Sequence, residues 1–290
     1  MSAQLLDGKA LANSLKQSIP SEVRLLSAID TPVTLASLMI GDDAGARAYI
    51  NSQKKTAEQL KVRYTLYEIP AKASQNEAIE YIRRLNQDPN THGIIIQQPV
   101  PAQIDYEVLI SHIEAPKDVE GMNAANLGKL ILGKAKIIPC TAAAVMELIK
   151  STGVSLRGKE AVVVGRSEIV GKPVSLLLLK ESATVTVCHS GTSDAGKLED
   201  HIARADIVVV AVGKPEFVKG KWIKKGAIVI DVGINKVGDK IVGDVEFEEA
   251  RKRAAFITPV PGGVGPLTVV MLLRNCMEAW SFYPGKHKKK

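Results

Sequence analysis

Short aliphatic and β-branched runs recur at residues 33–40, 62–69, 93–97, 160–165, 184–188, 207–212 and 227–231, and the stretches between them carry apolar positions at helical spacing. Strands alternating with helices in this way predict an α/β protein with parallel sheets and helical crossovers. The pattern divides into two blocks. Residues 1–138 form the first, which ends in a loop-rich segment at 118–133, and residues 139–265 form the second, which opens on a helix after Pro139. The last helix, from Gly265 to Phe282, follows the turn-forming TPVPGGVGP and is long enough to return to the first block, so residues 266–283 are assigned there. A cleft between the blocks is expected to hold a cofactor on one wall and a substrate on the other.

In the second block the sequence VVVGRSEIVGKP, residues 162–173, breaks an apolar run at Gly165 and continues into a helix predicted over 169–181. Gly165 lacks the Cβ that would block close backbone approach, and Gly171 lets the helix lie near the sheet. The amides of Ser167, Ile169 and Val170 then face an anion at the helix N-terminus, where the backbone dipole favours negative charge. The spacing departs from G-x-G-x-x-G, so the pattern alone fits either a dinucleotide turn or an ordinary strand-to-helix turn with two packing glycines.

The following strand points to the cofactor. A carboxylate at its end would hold the ribose 2′-hydroxyl of NAD; here the strand ends in His189 and Ser190, while Arg166 stands in the first turn. That combination favours the 2′-phosphate of NADP. Val212 with Gly213, and Gly233 with Ile234, lie just beyond two further strands, on the edge where open α/β sheets bind ligands. Asp231 is expected to be a backbone partner rather than a reacting group, and His189 a hydrogen-bonded loop residue.

Composition narrows the class. Hydrophobic residues make up 46% of the chain with charges of both signs, which fits a soluble globular protein. No apolar run reaches membrane-spanning length, and the start, MSAQLLDGKA, lacks a basic region followed by an apolar core, so a cytoplasmic protein is expected. The net charge of +7 falls to +3 without Lys286, Lys288, Lys289 and Lys290, and aromatics are only 4%, which argues against nucleic-acid binding. Residues 284–290 read as a solvated, disordered basic tail. Cys140, Cys188 and Cys276 are far apart and odd in number, so neither a disulfide framework nor a metal site follows. Cys140 stands at a helix start, a place that lowers the pKa of an accessible thiol, but a buried structural cysteine is the expectation.

Taken in order, LLDGKALA, VVVGRSEIVGKP, CHSGT, AVGKPEFVKGKWIKKGAIVIDVGIN, VGDV and ITPVPGGVGPLT resemble the methylenetetrahydrofolate dehydrogenase/cyclohydrolase family, the FolD proteins, over nearly the whole chain. The resemblance implies a substrate domain of αβα type plus a Rossmann domain, and a homodimer joined through the nucleotide domains. It also implies oxidation of 5,10-methylenetetrahydrofolate with NADP, then hydrolysis of the methenyl product. Carried over, it puts Gly165, Arg166 and Ser167 at the cofactor phosphates, Ser190 by the 2′-phosphate and Ile234 on the nicotinamide side. Pro261, Gly262 and Gly263 border the folate.

Several positions of the substrate half depart from the family. Its S-x-x-Y-x-x-x-K helix, whose tyrosine stacks on the folate and whose lysine serves the water chemistry, corresponds here to Ala46, Tyr49 and Gln53. Lys55 matches the family's second lysine, which keeps Gln53 in the register of the first. The K-D-V-D-G motif becomes Lys117, Asp118, Val119, Glu120 and Gly121, with the pterin-binding aspartate lengthened to Glu120. Gln97 matches a family glutamine, Gln98 replaces an apolar residue, and P-C-T-P-x-G becomes PCTAAA.

The two reactions demand different things. In the oxidation a folate nitrogen expels hydride and no side chain takes a proton, so orientation is most of the requirement. Hydrolysis moves protons between oxygen and nitrogen, which a glutamine amide cannot do near neutral pH. The expectation is therefore a dehydrogenase-dominant member, with Tyr49, Gln53, Gln97 and Glu120 as active-site residues and Asp118 among the folate contacts. Three alternatives stay open: hydrolysis through Lys54 or Lys55, a different one-carbon carrier, and a non-catalytic NADP and pterin binder.

Overall fold

The computed structural model describes residues 2–26 and 32–282; the basic tail at 284–290 lies outside them. Its strands, in chain order, are β1 (Gln4–Leu5), β2 (Thr34–Ile40), β3 (Arg63–Ile69), β4 (Gly93–Ile96), β5 (Glu160–Val164), β6 (Thr184–Cys188), β7 (Ile207–Val210), β8 (Ile228–Asp231), β9 (Asn235–Val237), β10 (Lys240–Val242) and β11 (Phe256–Ile257). The chain separates into two compact units. One comprises residues 2–13 and 141–268, the other residues 14–140 and 269–282.

The second of these is built on a parallel sheet in the order β3-β2-β4. β2 is buried at every position, as the central strand of a sheet covered on both faces must be. Ala36, Leu38 and Ile40 with Ile94 and Ile96 point to one face, under the helices Gln75–Gln87 and Tyr106–His112. Ser74 and Glu77 close a reciprocal capping box at the start of the first of these helices. From residue 269 onward the C-terminal helix, Gly265–Ser281, belongs to this unit. Its Cys276 lies against Gly93, where an added Cβ would come within 2.9 Å of the sulfur. Its Asn275 donates to the carbonyls of Val119 (2.8 Å) and Ile138 (2.7 Å).

The other unit carries a six-stranded sheet in the order β1-β11-β8-β7-β5-β6, every adjacent pair parallel. From β5 the chain goes first to β6 on one side and then to β7, β8 and β11 on the other. The strand order therefore reverses beside β5, the place where doubly wound sheets open a crevice at their carboxyl edge. Val162, Val164, Val208, Val210 and Val229 are fully or almost fully buried at its core.

Two expectations are corrected. The stretch at 118–133 contains the helix Ala124–Ile131, started by Asn123, whose side chain accepts from the Ala125 amide at 2.9 Å. The helix expected over 169–181 runs only from Gly171 to Lys180, because residues 166–170 form an open turn at its mouth. Among the described residues no helix is long and apolar enough to cross a membrane.

Candidate active site

In a parallel sheet, registered neighbours point to the same face. Leu35 pairs with both Tyr64 and Gly93, so Ser37, Tyr64 and Gln97 fall on one side, two or four residues along. The helix Ala44–Gln59, capped by Asp43, brings Gln53 to them. The Tyr64 hydroxyl donates to Gln53 Oε1 at 2.6 Å, and Gln97 Nε2 donates to the same oxygen at 3.0 Å and to Ser37 Oγ at 2.9 Å. Gln53 is 0% exposed, and its Nε2 is buried without a partner. Burial pushes the Tyr64 hydroxyl up to about 12, so it remains a donor at neutral pH. All four groups are neutral.

Tyr49 lies one helical turn before Gln53 and is partly exposed, whereas Lys54 and Lys55 are exposed. Each residue step turns a side chain by about 100° around a regular helix, which carries both lysines away from the face that Gln53 occupies.

The 117–121 segment serves a different purpose at each position. Lys117, 3% exposed, donates to the carbonyls of Leu85, Asn86 and Asp88 at 2.7–2.8 Å and so ties the segment to the end of the helix Gln75–Gln87. Asp118 accepts from the amides of Gly121 (3.1 Å) and Asn123 (2.7 Å) and from Asn126 Nδ2 (3.0 Å). It is 0% exposed. Asp118 thus organises the loop, a role the sequence reading did not give it. Gly121, at φ +74°, turns the chain where a Cβ would come within 2.8 Å of the Ile138 carbonyl carbon. Glu120 is left partly buried, with Oε2 accepting from the Tyr106 hydroxyl at 3.1 Å. Burial, and then the charge of Asp118, push its carboxyl up to about 7. Burial raises the Cys140 thiol well above its usual value although it begins a helix, which removes the activated-thiol reading.

The cofactor candidates all follow carboxyl ends of the six-stranded sheet. Gly165 (φ +120°) ends β5 at the strand-order switch, and a Cβ there would lie 2.2 Å from the Ala211 carbonyl oxygen. At Gly171 a Cβ would lie 2.2 Å from the Gly165 oxygen, so helix, turn and strand meet at backbone distance. Arg166, Ser167 and Ile169 are exposed in the turn, Val170 is half-buried, and Ser167 Oγ accepts from the Val170 amide at 3.2 Å. His189 and exposed Ser190 follow the adjacent β6, where the Gly191 amide donates to His189 Nδ1 at 3.2 Å. A cradle made of glycine backbone, an exposed cation and a strand end without a carboxylate fits a dinucleotide carrying a 2′-phosphate.

Two buried carboxylates shape the remaining loops. Asp231 accepts from the amides of Gly233, Asp244 and Val245 at 2.8–3.0 Å, as a backbone partner should, and burial pushes it up to about 6. Asp244 accepts from the amides of Val212, Gly213 and Lys214 at 2.7–3.0 Å and from Asn235 Nδ2 at 2.8 Å. Gly233 and the 259–266 segment, with Ile234 and Lys9, line one cavity of about 190 Å³ in this unit. Pro261, Gly262 and Gly263 therefore share a cavity with Ile234. Gly8 donates its amide to the Gly262 oxygen at 3.0 Å, and a Cβ on Gly8 would strike Gly263.

Ser37, Tyr64, Tyr106, Asp244 and Lys9 were not singled out in the sequence. Each lies in a segment that reads as ordinary strand, cap or motif, and the partners of most are distant along the chain. Only LLDGKALA and VGDV, quoted as family motifs, carried a signal, for Lys9 and Asp244.

These features define the class: a two-unit α/β protein with a dinucleotide-type parallel sheet. The pattern of the tetrahydrofolate dehydrogenase/cyclohydrolase catalytic domain matches residues 6–120, and that of the same family's NAD(P)-binding domain matches residues 139–283. The bifunctional protein FolD of Geotalea daltonii is 47% identical over 278 residues, covering 96% of this chain and 98% of its own length. Crystal structures of the bifunctional FolD enzyme of Campylobacter jejuni (TM-score 0.93, 39% identity, 97% of this chain and 99% of that one) and of Trypanosoma brucei FolD (0.91, 40%, 97% and 98%) share the fold. The Trypanosoma brucei protein was crystallised with NADP and an inhibitor. The chain belongs to the tetrahydrofolate dehydrogenase/cyclohydrolase family, and so is an oxidoreductase of tetrahydrofolate-linked one-carbon metabolism.

Proposed function

We propose that this family member is an NADP-dependent 5,10-methylenetetrahydrofolate dehydrogenase whose methenyl hydrolysis is weak or absent. The observation that carries the reading is the buried, wholly neutral set of Tyr64, Gln53, Gln97 and Ser37, together with the sequence resemblance, which assigns the family's lysine to position 53. Tyr49 stacks on the folate, Gln97 holds it, and Gln53 Nε2 offers one further donor. Glu120 accepts from the pterin, and Asp118 holds the loop that presents Glu120. Pro261, Gly262 and Gly263 are the folate contacts of the nucleotide unit. NADP supplies the hydride acceptor, and the oxidation asks the protein only to orient donor and acceptor and to keep water out. Hydrolysis asks for a group that takes up and releases a proton near neutral pH; burial pushes the Tyr64 hydroxyl up to about 12, and the two amides and the Ser37 hydroxyl do not titrate in that range.

Gly165, Ser167, Ile169, Val170 and Gly171 cradle the phosphates, with Arg166 reaching from the same turn toward the 2′-phosphate beside Ser190, and Val212, Gly213, Gly233 and Ile234 along the remainder. Arg166→Ala is expected to lower kcat/KM for NADP by about 10- to 100-fold, the range for a lost hydrogen bond to a charged group, while changing NAD turnover little. Initial rates of reduced-cofactor formation with each nucleotide check this. Equal losses for both would mean that Arg166 does not read the 2′-phosphate.

The names of the relatives favour a second reading, in which both activities persist and Lys54 or Lys55 reaches the site after a local helix distortion. Lys54→Met and Lys55→Met separate the two, since only that reading predicts lost hydrolysis.

The protein is further proposed to form a homodimer through the nucleotide unit. β6 is an outer strand of its sheet. Thr184 donates to Lys159 and Cys188 accepts from Gly165 on the β5 side, so the amides of Val185 and Val187 point outward. An unpaired parallel edge invites a second copy. Val185→Pro removes one outward donor without touching the β5 ladder and is expected to shift a dimer toward monomer in sedimentation velocity; a dimer equally stable to this change would place the contact elsewhere.

A further inference from the structure

The hydrogen-bonded cluster around Glu120 carries an inference that rests on the folate reading above and deepens it. Glu120 Oε2 is held by the Tyr106 hydroxyl at 3.1 Å, whereas Oε1 accepts no hydrogen bond within the described residues. Tyr106 is itself fixed. It begins the helix Tyr106–His112, capped by Asp105, and the Gln98 side chain lies close enough to its phenol to act on it. Gln98 follows Gln97, so one short segment joins this cluster to the Tyr64, Gln53 and Ser37 set. A glutamate has one more rotatable bond than an aspartate, so an unrestrained side chain of this kind loses more rotamer freedom when it is ordered. The Tyr106 contact orders it beforehand.

We propose that Tyr106, beside Gln98, is a positioning residue for substrate: it clamps one oxygen of Glu120 so that the other is presented to the paired N–H donors on the amidine edge of a reduced pterin. The ionised carboxylate accepts from both donors of such an edge, while the protonated one has already committed a lone pair to its proton. Burial of Glu120 and the neighbouring charge of Asp118 raise its pKa, and the Tyr106 hydrogen bond opposes them. The titratable groups facing this carboxyl are Asp118, Tyr106 and Cys140. Burial raises the Tyr106 hydroxyl and the Cys140 thiol above their ordinary values, so both stay protonated near neutrality. Burial raises the Asp118 carboxyl as well, opposed by the hydrogen bonds that hold its charged form. Binding of the reduced pterin therefore strengthens as pH rises through neutrality, and without Tyr106 the transition moves to higher pH.

The test is equilibrium binding of 5-formyltetrahydrofolate, which needs no turnover, to the full chain by calorimetry between about pH 6 and 9. In the wild type Kd is expected to fall as pH rises. Tyr106→Phe is expected to weaken binding about tenfold at neutral pH, with a loss that narrows at the alkaline end and an inflection displaced upward. Gln98→Ala gives a smaller change of the same shape, and Glu120→Gln abolishes the pH dependence. The Gln98 and Glu120 variants decide the matter if Tyr106→Phe does not fold. A Tyr106→Phe loss equal at every pH would mark a merely structural residue and overturn the proposal, as would no loss at all. Binding with this pH profile but without NADP reduction would sink the dehydrogenase reading and leave the clamp standing; no binding of any reduced folate would sink both.

Discussion

Replacing Gln53 by lysine is expected to raise methenyltetrahydrofolate hydrolysis by about 10²-fold or more, the lower end of what a placed proton carrier contributes. The site is suited to the exchange. Position 53 is fully buried, Ser37, Tyr64 and Gln97 surround it, and the Nε2 end of the glutamine has no partner to lose. A lysine has donors only, so Tyr64 must turn its hydroxyl and Gln97 its amide to accept, and desolvation lowers the ammonium pKa toward the range useful for moving protons at neutral pH. NADP reduction should change much less, because no proton moves in that step. The decay of added methenyltetrahydrofolate, with and without protein, measures the effect. An unchanged rate in a folded Gln53→Lys protein that still reduces NADP would mean that Gln53 does not limit hydrolysis.

Gly165→Ala is expected to be the most damaging single change on the cofactor side. The new methyl would lie 2.2 Å from a backbone oxygen, and the residue would have to hold φ +120°. Backbone strain of this kind costs about 1–3 kcal/mol before the clash is counted, so a stability loss of roughly 2–4 kcal/mol is expected, together with at least about tenfold weaker NADP binding. Gly153 is the control: its φ of +70° is also left-handed, but no atom lies within 4 Å of an added Cβ. Gly153→Ala should therefore show strain alone, about 1 kcal/mol, and unaltered NADP binding. Thermal unfolding and nucleotide titration of both variants make the comparison; equal losses would mean that close approach at Gly165 does not matter.

The glycines at 165 and 171 were legible in the sequence because their demand is local: a β-branched run, a residue without Cβ, then a helix. So were β2, β4, β5, β7 and β8, whose valines and isoleucines are buried on both faces. What escaped was either short or long-range. β1 and β11 have two residues each and pair through contacts about 250 positions apart, which leaves no periodicity to read. The helix Ala124–Ile131 contains Gly128 and follows a turn, so its composition resembles a loop. Tyr64 and Tyr106 read as ordinary packing aromatics, since nothing local to either announces a glutamine 11 residues away or a glutamate 14 residues away. Asp118 was legible as a motif residue, whereas its hydrogen bonds to Gly121, Asn123 and Asn126, which organise the loop, were not.

The most direct measurement is a two-wavelength assay with 5,10-methylenetetrahydrofolate and NADP, following NADPH formation and methenyltetrahydrofolate accumulation together. A dehydrogenase with a neutral glutamine network in place of a proton-carrying lysine gives equal rises of both, followed by methenyl decay at the rate seen without protein. Methenyl decay faster than that background would contradict the central claim and return the chain to the two-activity behaviour named for its relatives.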